Sequence, residues 1–214
     1  MPMDLNDLRL YLITDRSLFA GQKEFFNAVE QALTGGVKAL QLREKDLSDS
    51  ELIKLGRYLR SLTSDYKARL FINSRADIAE KVGADGVHLT EACPSAKELR
   101  GNFPELLIGV STHSLEKAQK AETDGADFIT FSPIFDTPSK QAYGSPQGLD
   151  ALEKVIASVR LPVLALGGIK LDNTDSVLDS GTFGVALITG IWDSSNIHET
   201  TQSFLEIFRR RTLL

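Results

Sequence analysis

Short apolar runs alternate with longer amphipathic stretches along the chain, and the alternation occurs eight times. The runs are rich in Leu, Ile and Val and are bounded by Gly, Asp or Pro, which is typical of buried parallel strands. The pattern therefore predicts eight strands, which cover residues 8–14, 39–43, 69–73, 86–89, 106–111, 128–132, 162–168 and 184–190.

The stretches between these runs have the spacing of amphipathic helices. Between residues 48 and 62, leucines recur at intervals of three and four, so they line one face of a helix. Ser48 and Glu51 fit a capping box at the start of this helix, and Ser95 and Glu98 repeat the same spacing.

The order of the elements predicts a (β/α)8 TIM barrel that forms a single domain over residues 1–214. Glycine-containing joints recur where a helix ends and the next strand begins, at 35–40, 82–89 and 124–131. An open doubly wound sheet is the alternative, but no dinucleotide-type glycine fingerprint follows the first apolar run.

Composition excludes several functions. A formal net charge of −5 argues against nucleic-acid binding, which requires a basic face. One cysteine excludes an intrachain disulfide and a four-cysteine zinc site. No apolar run approaches the roughly 18 residues of a membrane span, so we expect a cytoplasmic protein without a signal peptide or a membrane partner. Whether it forms a homo-oligomer is left open.

In a barrel of this kind the active site lies at the C-terminal ends of the strands. The second run is followed by cationic residues, and a period of two places Gln41, Arg43 and Lys45 on one face. Such groups are costly to bury without an anionic partner, so this face predicts an anion site. The alternative is a solvated loop start with a surface pair between Glu44 and Lys45.

Other strand ends supply further polar candidates. Asn73 ends the third run, Ser111 ends the fifth, and His113 follows two residues later. His113 could act as an acid, as a base or as a hydrogen-bonding wall. His88 lies within a strand and is interpreted as a structural histidine, and Cys93 is interpreted as an inert loop residue.

The longest irregular stretch, residues 132–148, follows the sixth run and has the length of a functional loop or lid. Its Thr137, Ser139 and Lys140 can donate hydrogen bonds to phosphate oxygens. The alternative is a purely structural excursion.

The seventh and eighth runs end in glycine-rich segments at 167–169 and 188–190. Loops at these places commonly bind phosphate in TIM barrels, because glycine lets backbone N–H groups approach the anion. Gly168, Ile188 and Thr189 are therefore candidate phosphate-binding residues. The alternative is that these glycines only allow tight turns.

Taken together, these strand ends resemble the thiamine phosphate synthase and TenI superfamily. The motifs that carry the resemblance span nearly the whole chain and include "LYLITDR", "QLREKD", "FINSRADIA", "GADGVHL", "IGVSTHS", "SPIFDTPSK", "LALGGI" and "GVALITGI". The resemblance implies a barrel that binds a thiazole phosphate. In the synthases it also implies a hydroxymethylpyrimidine pyrophosphate, which loses pyrophosphate to the thiazole nitrogen.

The resemblance also assigns roles to residues of this chain. It implies that Gln41, Arg43, Lys45 and Asn73 contact the pyrophosphate and pyrimidine, together with Ser111 and Lys140 on the pyrophosphate. It further implies a thiazole phosphate site that is formed by Thr137, Ser139, Gly168, Ile188 and Thr189.

Two positions depart from the synthase pattern. Ser74 and Cys93 stand where the synthases have aspartates that hold magnesium. Magnesium prefers oxygen ligands, and a thiol is a poor substitute for a carboxylate. We therefore expect no metal site and no cofactor in this chain, and a weaker metal-assisted departure of pyrophosphate.

The leading hypothesis from the sequence is therefore a TenI-type thiazole tautomerase, which needs an acid and a base but no metal. One tautomerase pattern has a histidine where this chain has Pro133, so His113, Lys45 and Cys93 are the candidate proton-transfer residues. An active, magnesium-dependent thiamine phosphate synthase and a non-catalytic protein that binds thiazole phosphate are the alternatives.

Overall fold

Eight parallel strands close into a barrel in the order of the sequence, in a computed structural model that describes residues 5–137 and 146–212. Each strand pairs with its neighbours in the chain, and the last strand pairs with the first. The (β/α)8 prediction is thereby confirmed. The strands are β1 (Leu10–Ile13), β2 (Ala39–Leu42), β3 (Arg69–Asn73), β4 (Gly86–Leu89), β5 (Leu107–Thr112), β6 (Phe128–Phe131), β7 (Val163–Leu166) and β8 (Gly184–Leu187).

Helices follow the strands and surround the barrel. They are α1 (Gln22–Gly35), α2 (Asp49–Asp65), α3 (Ala76–Val82), α4 (Ala96–Asn102), α5 (Leu115–Thr123), α6 (Gly148–Ser158), α7 (Thr174–Asp179), α8 (Thr189–Trp192) and α9 (Ile197–Thr212). No helix within residues 5–137 and 146–212 has both the length and the apolar character of a membrane span.

Both predicted capping boxes are present. The Ser48 side chain accepts a hydrogen bond from the Glu51 N–H, and the Glu51 carboxylate accepts one from the Ser48 N–H. The same reciprocal pair joins Ser95 and Glu98 at the start of α4. These caps satisfy backbone donors that have no partner within a helix, and they fix where α2 and α4 begin.

The hydrophobic core has two layers. One lies between the strands and the helices, and the other fills the inside of the barrel. Tyr11, Phe71 and Phe128 pack edge to face inside the barrel, with ring centroids 5.3–5.4 Å apart. Strand glycines make room for them, since a Cβ at Gly109 would lie 2.4 Å from the Phe128 ring. Because its interior is filled, the barrel is not a pore, and a site formed by the strand ends lies at its mouth.

Candidate active site

The predicted site residues gather around a cavity of about 580 Å³, here called the central cavity. It lies at the C-terminal ends of the strands and is lined by residues from β1 to β5, β7 and the loops that follow them. A larger groove of about 710 Å³ lies between the loop after β1, α1 and α2, but none of the predicted site residues lines it. The predicted residues that line the central cavity are Gln41, Arg43, Lys45, Asn73, Ser74, Ser111, His113 and Ile188.

The residues that follow β2 give the central cavity a cationic wall. Gln41 is buried inside the barrel, Arg43 is half-buried, and Lys45 is exposed, so one face runs from the interior to solvent. No carboxylate within the described ranges forms a salt bridge with Arg43 or Lys45. Two cations at the mouth of a cavity that no carboxylate of the described residues pairs with favour an anionic ligand.

Glu44 takes part in a different interaction from the surface pair with Lys45 that the sequence offered as the alternative. Its carboxylate is buried and accepts hydrogen bonds from the Thr14 hydroxyl at 2.6 Å and the Arg16 N–H at 3.2 Å. Burial raises the pKa of Glu44, although these hydrogen bonds act in the opposite direction. Glu44 thus ties the loop after β2, which contains Arg43 and Lys45, to the loop after β1. Period-two spacing gave no signal for this contact.

The loop after β3 brings Ser74 to the cavity in an unusual conformation. Its φ is 63°, in the left-handed region, and its N–H donates to the carbonyl of His88 at 2.8 Å. The Asn73 amide donates to the Ser74 hydroxyl at 3.1 Å. Thr90 and Glu91 line the same part of the cavity.

Cys93 lies beside Ser74 but outside the lining of the central cavity. Its sulfur is 4.0 Å from the Ser74 carbonyl oxygen, and it accepts a hydrogen bond from the Thr90 N–H at 3.4 Å. The thiol therefore stabilises the turn after β4, and the structure does not bring it together with the other two candidate proton-transfer residues, His113 and Lys45.

The two departures from the synthase pattern are therefore neighbours in space, as positions of one metal site would be. They offer a hydroxyl and a thiol where magnesium needs hard oxygen ligands, preferably carboxylates. In residues 5–137 and 146–212 no three His, Cys, Asp or Glu side chains are grouped so that they could hold a metal ion. The residues present do not fit a magnesium site that is built by the protein.

The end of β5 contributes a hydroxyl and an imidazole with a defined proton position. Nδ1 of His113 lies 2.7 Å from the carbonyl oxygen of Ser132. Because a carbonyl can only accept, Nδ1 carries the proton, and the lone pair of the neutral ring is on Nε2. Ser111 lines the same cavity two residues earlier. His113 can therefore accept a proton through Nε2 at the cavity.

A second cavity of about 190 Å³, here called the glycine cavity, lies beside the ends of β7 and β8. Gly167 and Gly168 have φ values of 104° and 67°, which side chains rarely adopt. A Cβ on Gly168 would lie 2.8 Å from the carbonyl oxygen of Asp136, so only glycine fits this approach. The lining contains four of the predicted phosphate-binding residues, Thr137, Gly168, Ile188 and Thr189. Ser139 and Lys140 lie outside the residues that the structure describes.

The two cavities are adjacent and share four lining residues, Arg43, Lys45, Leu166 and Ile188. Arg43 and Lys45 therefore lie between the central cavity and the glycine cavity. Trp192, close to the glycine cavity, is buried and donates from its indole nitrogen to the Ile13 carbonyl at 2.7 Å, so it packs against the barrel.

Comparisons with known proteins match most of the chain to one family. A family model described as thiamine monophosphate synthase matches residues 10–191. The chain is 48% identical over 209 residues to a Geobacter sulfurreducens protein named "Putative thiamine-phosphate synthase", which covers 96% of this chain and 97% of that protein. It is 40% identical over 202 residues to the thiamine-phosphate synthase of Pyrococcus furiosus, with 94% and 95% covered.

A solved structure gives the same result for the fold. Thiamine phosphate pyrophosphorylase from Pyrococcus furiosus superposes with a TM-score of 0.88 at 36% identity, and the match covers 96% of this chain and 97% of that one. The motifs, the barrel and these matches all point to one family. The chain belongs to the thiamine monophosphate synthase family.

Proposed function

We propose that this protein joins a pyrimidine pyrophosphate to a thiazole phosphate and releases pyrophosphate, as a thiamine-phosphate synthase. The observation that carries the proposal is the pair of adjacent cavities, because a reaction between two phosphorylated substrates needs two anion sites that meet. The names of the relatives support the same activity. The sequence alone had placed a tautomerase first, and these two observations reverse that order.

The central cavity suits the pyrimidine pyrophosphate. Arg43 and Lys45 can stabilise the charge that develops on the departing pyrophosphate, and the Ser111 hydroxyl can donate to it. The amides of Gln41 and Asn73 can donate to and accept from ring nitrogens and amino groups of a pyrimidine. These groups line one cavity, where donors and cations directed at the departing group can stabilise the transition state.

The glycine cavity suits the phosphate of the thiazole. Gly168, Ile188 and Thr189 line it, and the missing side chain of glycine lets backbone N–H groups approach an anion. Binding the phosphate there would direct the thiazole ring toward Arg43 and Lys45, where the cavities meet. The thiazole nitrogen then forms the C–N bond to the pyrimidine's methylene carbon while the C–O bond to pyrophosphate breaks, and the bonding electrons leave with pyrophosphate.

Ser74 and Cys93 favour one second candidate, the metal-independent thiazole tautomerase. That reaction moves a proton and needs no leaving group, so it tolerates the loss of two metal carboxylates. His113 would be the proton acceptor, since its Nδ1 proton is donated to Ser132 and its lone pair is on Nε2.

One pair of assays separates the two candidates. The purified protein is given pyrimidine pyrophosphate and thiazole phosphate, with and without added magnesium, and separately the non-aromatic thiazole tautomer. We expect thiamine phosphate to form in the first assay and no aromatisation above background in the second. Aromatisation without thiamine phosphate formation would establish the tautomerase instead, and the His113→Gln variant would then lose that activity.

A further inference from the structure

A chain of hydrogen bonds crosses the inside of the barrel beneath the central cavity. The Gln41 amide nitrogen lies 3.2 Å from the Tyr11 hydroxyl, which lies 3.2 Å from Nδ1 of His88. Nε2 of His88 lies 3.1 Å from the Ser111 hydroxyl and 3.4 Å from that of Thr130. This series of hydrogen bonds thus connects two residues of the central cavity, Gln41 and Ser111, through side chains that are almost completely buried.

The hydrogen bonds have a defined direction. The Gln41 amide nitrogen can only donate, so the Tyr11 oxygen accepts there and its single proton is directed to His88. Burial raises the pKa of Tyr11 well above its ordinary value, which keeps the phenol protonated. Nδ1 of His88 is therefore an acceptor, and the ring carries its proton on Nε2.

This proton position determines what Ser111 can offer. Nε2–H of His88 donates to the Ser111 oxygen, so the serine's own proton must be directed to another acceptor. Ser111 lines the central cavity, beside the cationic wall. In the other tautomer Nε2 carries no proton, so it would accept a hydrogen bond from the Ser111 hydroxyl. The lone pairs of that hydroxyl would then face the anion.

We propose that His88 is a positioning residue, which holds Ser111 as a hydrogen-bond donor to an anion in the central cavity. Tyr11 fixes the imidazole as the Nε2–H tautomer, and Gln41 fixes the direction of the Tyr11 hydroxyl. The identification of the anion as pyrophosphate rests on the proposed function. The assignment of the His88 tautomer does not depend on that function. The interpretation of His88 as a merely structural histidine is thereby extended.

Nitrogen-15 NMR of the intact protein with labelled histidine tests the tautomer directly. The chain has three histidines, and the His88→Gln spectrum identifies the resonances of His88 by their loss. We expect the two ring nitrogens of His88 to show the pattern of a neutral Nε2–H imidazole at neutral pH. A neutral Nδ1–H pattern, or a charged ring, would overturn the inference whatever reaction the protein catalyses.

A double-mutant cycle tests the effect on Ser111, with inorganic pyrophosphate as the probe and calorimetry as the measurement. Glutamine can place an amide N–H near the position of Nε2, whereas asparagine reaches only the position of Nδ1. We expect His88→Asn to weaken pyrophosphate binding about tenfold, as loss of one hydrogen bond to a charged group would. His88→Gln should retain most of the affinity, and thermal unfolding checks that both variants fold.

The Ser111→Ala background gives the decisive comparison. If His88 acts through the serine, adding His88→Asn to Ser111→Ala causes no further loss of pyrophosphate affinity. Losses that add in full would show that His88 only supports the structure. If the unaltered protein binds no pyrophosphate, the proposed function is contradicted, and the NMR measurement alone then decides the tautomer.

Discussion

Ser74 lies in the loop after β3 with a left-handed backbone conformation and an uncharged side chain. Its φ of 63° lies in the region that asparagine and aspartate enter more readily than most residues. The site next to it is occupied by Cys93, whose sulfur lies 4.0 Å from the Ser74 carbonyl oxygen. The backbone at Ser74 could therefore accept aspartate without a change, and Cys93 is the neighbouring position for a second carboxylate.

We expect the double variant Ser74→Asp, Cys93→Asp to bind magnesium more tightly than the unaltered protein. Carboxylates are the oxygen ligands that magnesium prefers, and two of them would stand side by side. Calorimetric titration with magnesium gives the affinity, and the rate of pyrophosphate release gives the functional gain. The isosteric variant Ser74→Asn, Cys93→Asn is the control, since it has the same shape without the charge. Equal magnesium affinity in both variants would contradict the prediction.

Gly168 is required by both its conformation and its surroundings. Replacement with alanine costs about 1–2 kcal/mol from the left-handed conformation alone. The new Cβ would also lie 2.7 Å from the Phe135 Cβ, so the wall of the glycine cavity must move. We expect Gly168→Ala to weaken thiazole phosphate binding at least tenfold, as measured by calorimetry.

Gly83 provides a matched control for that variant. Its φ of 70° is almost that of Gly168, but among the described residues no atom beyond its chain neighbours lies within 4 Å of the place where a Cβ would stand. Gly83→Ala should therefore lower stability by a similar conformational cost while leaving thiazole phosphate affinity unchanged. A loss of affinity in both variants would mean that strain, and not the shape of the cavity, accounts for the effect.

At the scale of the elements, Arg75 connects the starts of α2 and α3. Its guanidinium donates to both carboxylate oxygens of Asp49, at 2.5 and 2.8 Å, and to Asp77 at 2.8 Å. These hydrogen bonds lower the pKa of both aspartates. The contacts with Asp49 hold the loop after β3, which contains Ser74, against the start of α2.

This arrangement predicts a pH dependence of stability. A carboxylate whose pKa is lowered in the folded state contributes stability above its unfolded pKa of about 3.9, and that contribution is lost as the pH falls through the folded pKa. We expect Asp49→Asn, Asp77→Asn to show a smaller loss of urea-measured stability between pH 6 and 3 than the unaltered protein. Asp172→Asn, at an exposed site without a salt bridge among the described residues, should leave the pH dependence unchanged. Parallel curves for all three proteins would contradict the assignment.

The sequence predicted the elements better than it predicted the contacts between them. All eight strands and both capping boxes followed from local patterns, because a buried parallel strand is a short apolar run and N-cap chemistry depends on residues three apart. The interactions of Glu44 and His88 did not, since they depend on residues far along the chain. Thr14 is 30 residues from Glu44, and Tyr11 is 77 from His88. Pairing of β1 with β2 brings Thr14 to Glu44, and the barrel brings Tyr11 of β1 to His88 of β4.

The same distinction holds for the site as a whole. Period-two spacing placed Gln41, Arg43 and Lys45 on one face, and the fold turns that face into a cavity wall. Cys93 could not be excluded from the cavity by sequence, because its orientation depends on the turn after β4. The central cavity and the glycine cavity are adjacent because of the order of the strands around the barrel, which spacing along the sequence does not show.

At the scale of the whole molecule, we propose that this chain by itself joins two phosphorylated substrates. A single-turnover experiment tests it most directly, with enzyme in excess over both substrates and the products identified by mass spectrometry after quenching. We predict that thiamine phosphate and pyrophosphate appear in a 1:1 ratio and that omitting either substrate abolishes both. Recovery of both substrates unchanged, by a folded protein that binds each of them, would contradict the claim.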